Sequence, residues 1–223
     1  MIDAIKIDIW SDIACPWCYI GKRKLEAGLA QYSSTPGSVA VEIEYLSFEL
    51  SPDTPADYEG TAAEFMIDRR GMAPHQVTPM LERVTGLAAK VGLDYHYELQ
   101  QHTNTVKGHQ LVHYAKARGL QLEAKERLLK AYFVDGRHVG RTADLADLAA
   151  EIGLDRDDVV RSLDADEYLA DVRADQRRAE ELGIQGVPFY VVDGRYGISG
   201  AQDPEAFVRA LSQVAGERAE TGE

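Results

Sequence analysis

Apolar and charged residues alternate near the N-terminus in Ile5-Lys6-Ile7-Asp8-Ile9, and this period of two predicts a first strand over about residues 4–10. Ser11 to Cys18 then ends a strand and begins a helix, because Pro16 suits a first helical position, where its missing N–H costs nothing. That helix runs to about Tyr32. A loop at Ser33–Ser38, around Pro36-Gly37, leads to a second strand set out by Val39, Val41, Ile43 and Tyr45. Residues 51–60 are turn-rich, and from there to about Gly183 the period is helical. Leu145, Leu148, Ala149 and Ile152 make one apolar stripe; Leu128, Leu129, Tyr132 and Phe133 make another. Asp155 reads as the cap of a short helix holding Val159, Val160 and Leu163, and a longer helix over roughly 166–182 stops at Gly183. Strand character returns at Phe189–Val192, where Asp193-Gly194 predicts a two-residue hairpin turn into Arg195–Ile198. A closing helix over about 203–215 presents Phe207, Leu211 and Val214, and the polar tail Gly216–Glu223 is expected to fray.

Strand, helix, strand, a long helical block, then hairpin and helix is the order expected of a small α/β domain carrying an inserted helical domain. The boundaries follow: residues 1–53 and 184–223 form the discontinuous α/β domain, and residues 54–183 the insertion, including the long connecting helix at about 166–182.

The 37 acidic against 24 basic residues leave a net charge of −13, a field that repels phosphate backbones and anionic lipid, so no nucleic-acid or membrane partner is expected. No apolar run approaches the ~20 residues of a bilayer span. Met1-Ile2-Asp3 leads directly into the first strand pattern rather than into a basic then apolar export signal, which predicts a cytoplasmic protein.

The chain has two cysteines, Cys15 and Cys18. A disulfide between them closes too small a loop to stabilise the fold much, so the pair reads as chemistry rather than as a staple. At a strand-to-helix junction the first sulfur sits at a helix N-terminus, where unpaired N–H groups and the dipole favour its thiolate. Cys18, one turn inside, can reach back to release a mixed disulfide. Cys15 is thus the expected nucleophile and Cys18 the resolver, with Pro16 and Trp17 between them. The pair supplies half of a four-ligand zinc set, and although His109 and His113 stand four apart on one helix face, no metal is expected. Asp12 reads as a backbone cap, Lys22, Arg23 and Lys24 as a solvated face, Tyr95 and Tyr97 as packing residues, and Trp10 with Trp17 as possible walls of a substrate groove.

Three stretches point further: Cys15-Pro16-Trp17-Cys18-Tyr19-Ile20-Gly21, Phe48-Glu49-Leu50-Ser51-Pro52-Asp53, and Gly183 to Phe189 continuing to Tyr196–Gln202. Together they resemble the DsbA-like superfamily, most closely its FrnE-like branch of dithiol oxidoreductases, over nearly the whole chain. The resemblance implies a thioredoxin-like fold with a helical insertion, a redox-active dithiol at Cys15 and Cys18, and a cis proline at Pro188. A cis Val187–Pro188 bond would turn that loop toward Cys15 and leave the Val187 backbone free to pair with substrate. Exported DsbA proteins carry His where this chain has Trp17, so the direction of electron flow stays open.

The expected activity is dithiol–disulfide exchange on a thiol- or disulfide-containing protein or small molecule, by a monomer or homodimer. No bound cofactor is needed beyond the Cys15–Cys18 disulfide, although glutathione is a possible co-substrate. Two alternatives stand beside it. One is a glutathione-dependent isomerase or transferase of the 2-hydroxychromene-2-carboxylate isomerase or kappa type, whose members generally have serine at the position of Cys15. The other is a non-enzymatic binding or chaperone-like module.

Overall fold

The computed structural model describes residues 4–55 and 58–221; Met1–Asp3, Ala56-Asp57 of the turn-rich connection and Gly222-Glu223 of the tail lie outside them. Strand β1 (Ile5–Ser11) passes through Cys15 into helix α1 (Pro16–Ser33), which returns to β2 (Val41–Ser47). Helices α2 (Ala62–Asp68), α3 (Pro74–Ala89), α4 (Val106–Lys116), α5 (Gln121–Phe133), α6 (Thr142–Glu151), α7 (Arg156–Asp164) and α8 (Leu169–Glu181) follow. The hairpin β3 (Phe189–Val192) and β4 (Tyr196–Ser199) and helix α9 (Pro204–Thr221) end the chain.

The four strands form one sheet in the order β2-β1-β3-β4. β1 and β2 are parallel, with Ile5 opposite Val41; β3 is antiparallel to β1, with Trp10 opposite Phe189. Ile5, Ile7 and Ile9 point to one face, where Leu25 and Tyr32 of α1 and Phe207, Leu211 and Val214 of α9 bury them. Each such isoleucine contributes roughly 1.5–3 kcal/mol by leaving water. The opposite face carries Trp10 and Leu46, closed by Ala179 of α8 and Ile184 beyond it. Because both faces are covered, β1 is buried nearly throughout, and the polar position Asp8 is buried too, held by Lys6 and Arg178. A separate core joins the helices between β2 and β3, and Ile13, Tyr19 and Ile20 around the cysteines pack into it.

Most predicted elements appear within a few residues of their expected ends. Asp155 caps α7 through the Asp158 N–H, and Gly183 stops the chain beyond α8 with φ of +69°. Three readings change. The Asp193-Gly194 turn has the expected positive φ angles, but Val192 pairs with Tyr196, so Arg195 joins a three-residue loop. The Asp193 N–H bonds Lys6 O on the neighbouring strand, which holds the corner open. The region expected to fray continues α9 to Thr221, since Tyr196 Oη donates to Glu217 and Arg218 pairs with Asp193. Finally, Lys22 is buried rather than solvated: α1 packs on α5, and Lys22 and Arg23 both reach Glu126 across that contact, while Lys24 meets Asp203.

Candidate active site

Cys15 is the N-cap of α1, in extended conformation, with Pro16 in the first turn and the Cys18 N–H bonded to Cys15 O at 3.0 Å. Both cysteines are free thiols, and Cys15 is only 2% exposed. Trp17 turns outward between them, 40% exposed. The Val187–Pro188 peptide is cis, and Cys15 Sγ lies 3.4 Å from Val187 O, to which its thiol donates. Gly21 lets this approach happen, because a Cβ there would collide with Tyr190 Oη and Pro188 Cγ. Cys15, Cys18, Pro16, Trp17, Val187 and Pro188 therefore meet at one spot.

The two thiols of the reduced pair ionise unequally, Cys18 ahead of Cys15. The hydrogen bond to Cys18 and then burial push the Cys15 thiol well up. Burial opposes ionisation of Cys18 as well, but the Cys15 bond, the Lys125 ammonium and Ser11 more than offset it and hold Cys18 below its ordinary value. The helix N-terminus still contributes, since the Cys18 N–H favours a Cys15 thiolate, yet the positive charge of Lys125 draws the anion one turn inward. Lys125 is itself fully buried, its Nζ 3.2 Å from Ser11 O, and burial lowers its own pKa. Its place was legible in principle: it falls three and four residues before Leu128 and Leu129, a lysine on an apolar stripe.

Asp12 does more than cap. Its carboxylate accepts from Leu50 N at 2.8 Å, Thr105 Oγ1 at 2.9 Å and His109 Nε2 at 3.2 Å, and more weakly from Ala14 N at 3.4 Å. It thereby ties the cysteine turn to the Phe48–Asp53 segment and to α4. Burial works against this carboxylate, but the His109 and Leu50 bonds keep it below the usual range. His113, four residues on, bonds Ser47 and Asp175 instead, so the two histidines serve different carboxylates. Tyr95 stacks on Phe133 and donates to Pro16 O at 2.8 Å, a packing role that also steadies the turn. Trp10, in contrast, is no groove wall: it is fully buried under α8, with its indole N–H on Asp175 O.

Ala14 and Pro16, on either side of Cys15, also line a cavity of about 290 Å³ whose walls come from the Leu50-Ser51 segment, α2, α3, α5 and the stretch before α4. Asp12 lines it too.

A parallel β–α–β unit paired with an antiparallel hairpin, a dithiol opening the first helix and a cis-proline loop against the first sulfur define a thioredoxin-like protein. The chain belongs to the DSBA-like thioredoxin domain family, which matches residues 6–212. A probable DsbA oxidoreductase from Streptomyces coelicolor is 38% identical, with a TM-score of 0.87 over 96% of this chain and 91% of that one. The cytosolic disulfide reductase DsbM from Pseudomonas aeruginosa, solved with glutathione, shares the fold at 19% identity and a TM-score of 0.65, over 93% of this chain and 98% of that one. A 2-hydroxychromene-2-carboxylate isomerase does so at 15% identity and a TM-score of 0.72, over 97% and 98%. The protein is a DsbA-like thiol–disulfide oxidoreductase. No helix among the described residues is long and apolar enough to cross a membrane.

Proposed function

We propose that Cys15 attacks the disulfide of a substrate and Cys18 resolves the resulting mixed disulfide, in the manner of the FrnE-like branch. The observation that carries this reading is the placement of Cys15 Sγ at the opening of α1, 3.4 Å from Val187 O and hydrogen-bonded to Cys18. In the resting dithiol the anion is drawn to Cys18 and the proton stays on Cys15, directed at Val187 O. As a substrate engages the Val187 backbone that contact is lost, and the proton passes across the Cys15–Cys18 bond. The Cys15 thiolate then attacks one substrate sulfur and expels the other as a thiolate. Cys18 next gives its proton to the released thiolate, attacks Cys15, expels the second thiolate and leaves a Cys15–Cys18 disulfide; two electrons have moved from enzyme to substrate. Run backward, the same steps oxidise a dithiol. A low-molecular-weight thiol such as glutathione is a suitable reductant for the enzyme disulfide, and the DsbM neighbour solved with glutathione favours it.

Residues 54–183, on this reading, act as one helical domain that brings Thr105, His109 and Lys125 to the dithiol turn. A cytoplasmic setting, with its reducing poise, suits the reductase direction.

The test is turnover of insulin disulfides with glutathione by wild type and Cys15→Ser. Loss of all turnover in Cys15→Ser is expected, and its retention rejects the proposal. The isomerase fold neighbour favours a second reading, in which Cys15 merely activates bound glutathione. That reading requires isomerisation of an aromatic substrate to survive Cys18→Ser.

A further inference from the structure

The cavity beside the dithiol has a composition that the exchange chemistry alone does not require. Phe65 and three of the chain's four methionines, Met66, Met72 and Met80, form its walls together with Ala14 and Pro16. Unbranched thioethers mould to a flat ring and make favourable sulfur–aromatic contacts. At about 290 Å³ the space sits at the low end of small-ligand pockets, suited to one or two rings.

Two polar groups interrupt this lining, each with bonding capacity left over. His102 is 7% exposed, packs on Phe65 at 4.1 Å between ring centroids, and places Nδ1 2.7 Å from Tyr132 Oη. Its Nε2 has no hydrogen-bond partner among the described residues. The Nδ1–Tyr132 bond can run in either direction; in the tautomer in which Tyr132 donates, Nε2 carries a hydrogen. A buried donor left unmade is expensive, and an acceptor oxygen on a ligand is its natural complement. Arg70 lines the same cavity from an exposed position and lends two contacts to Ser51 Oγ and Leu50 O, but faces no carboxylate among the described residues. In a chain with 13 surplus negative charges, a guanidinium left without a carboxylate is available to an anion from outside.

We infer that this cavity selects the substrate of the dithiol, and that the substrate is a small aromatic disulfide bearing a carboxylate, its ring among the methionines, an oxygen on His102 Nε2–H and its charge on Arg70. The inference rests on the exchange reaction proposed above. Ala14 and Pro16 line the cavity and flank Cys15 in the chain, while neither sulfur is part of the lining, so Cys15 must be uncovered when a ring is seated against them. In one turnover the Cys15 thiolate forms a mixed disulfide with one aryl sulfur and releases the other as an aryl thiolate. Cys18 then forms the enzyme disulfide and releases the second aryl thiolate. The dithiol supplies both electrons, and the proton it still carries passes to solvent.

The experiment is stopped-flow single turnover of the reduced protein with dithiobis(nitrobenzoate), an aromatic disulfide with carboxylates, and with dithiodipyridine, which lacks them. The carboxylate reagent is expected to saturate at the lower concentration. Arg70→Ala raises its half-saturation by about tenfold relative to the pyridine reagent, and Arg70→Lys recovers part of that preference. His102→Leu weakens both aromatic reagents that present an acceptor, judged against bis(hydroxyethyl) disulfide. An unchanged preference in Arg70→Ala, or a lack of saturation with either aromatic reagent, overturns the inference while leaving dithiol exchange standing. Release of both aryl thiolates by Cys15→Ser overturns the exchange reading itself.

Discussion

Cys15 Sγ and Val187 O stand 3.4 Å apart, although 172 residues separate them in the chain. The carbonyl holds the thiol proton of the resting pair, and the same backbone segment is the edge an extended or thiol-bearing substrate would meet. Because Cys15 is buried, a substrate reaches its sulfur only after the groups covering it move aside. The site favours slim sulfur compounds and extended segments over a folded surface.

Cys18→Ser separates attack from resolution. The variant is expected to accumulate a mixed disulfide on Cys15, visible as a stable mass increase after exposure to oxidised glutathione. Wild type passes through the same species and ends as an intramolecular disulfide. A Cys18→Ser protein that turns over at the wild-type rate would show that Cys18 is not the resolver.

Lys125→Met tests the source of the charge on Cys18. Methionine keeps most of the buried stem and removes the cation. The first ionisation of the dithiol is expected to move up by about one unit, so that at neutral pH the thiolate fraction, and with it the exchange rate, falls up to about tenfold. Thiolate ultraviolet absorbance followed against pH reads the shift directly. Stability should hold or rise, because a buried ammonium is costly. An unmoved titration would place the charge elsewhere.

Asp12→Asn removes the anion that gathers Leu50, Thr105 and His109. A loss of about 2–4 kcal/mol in denaturant unfolding is expected, since a buried bonded charge is broken from one side. The pH dependence has a definite sign. The folded carboxyl lies below its ordinary value, so its contribution is present above pH ~3.9 and is lost as pH falls through the folded value. An Asp12→Asn protein as stable as wild type at neutral pH would remove Asp12 from the scaffold of the site.

His102 gives a second acid-sensitive term. Burial holds its imidazole down to about 4, with the Arg70 charge adding to the effect and Asp12 opposing it. The unfolded chain takes up its proton near 6.5, so the folded state is at full advantage above that pH and loses it as pH falls to about 4. The loss amounts to roughly 3 kcal/mol by pH 4, and the difference in unfolding free energy between wild type and His102→Gln should contract across that window. Parallel pH profiles for the two proteins would contradict this.

What the residues disclosed on their own was local. Asp155 capping α7, Gly183 ending α8 and Pro16 opening α1 each depend on groups a few residues apart, so their signatures sit side by side in the chain. The spacing of Cys15 and Cys18 follows from one helical turn. Lys22 and Trp10 were misread for the opposite reason. A cation on a helix and an aromatic at a strand end have the same local pattern whether or not another element covers them, and α5 and α8 cover these two.

The sequence alone determined the order of strands and helices and the pairing of two thiols at a helix opening, because hydrogen-bond periodicity and side-chain spacing act over a turn or a pleat. Tertiary structure alone decided that Val187 faces Cys15, that Lys125 stands behind Cys18, and that His102 and Arg70 share one apolar cavity. Those neighbours come from segments far apart in the chain, brought together by the sheet order and by helices closing over it. Charge and burial act through space, and only the packed chain sets those distances.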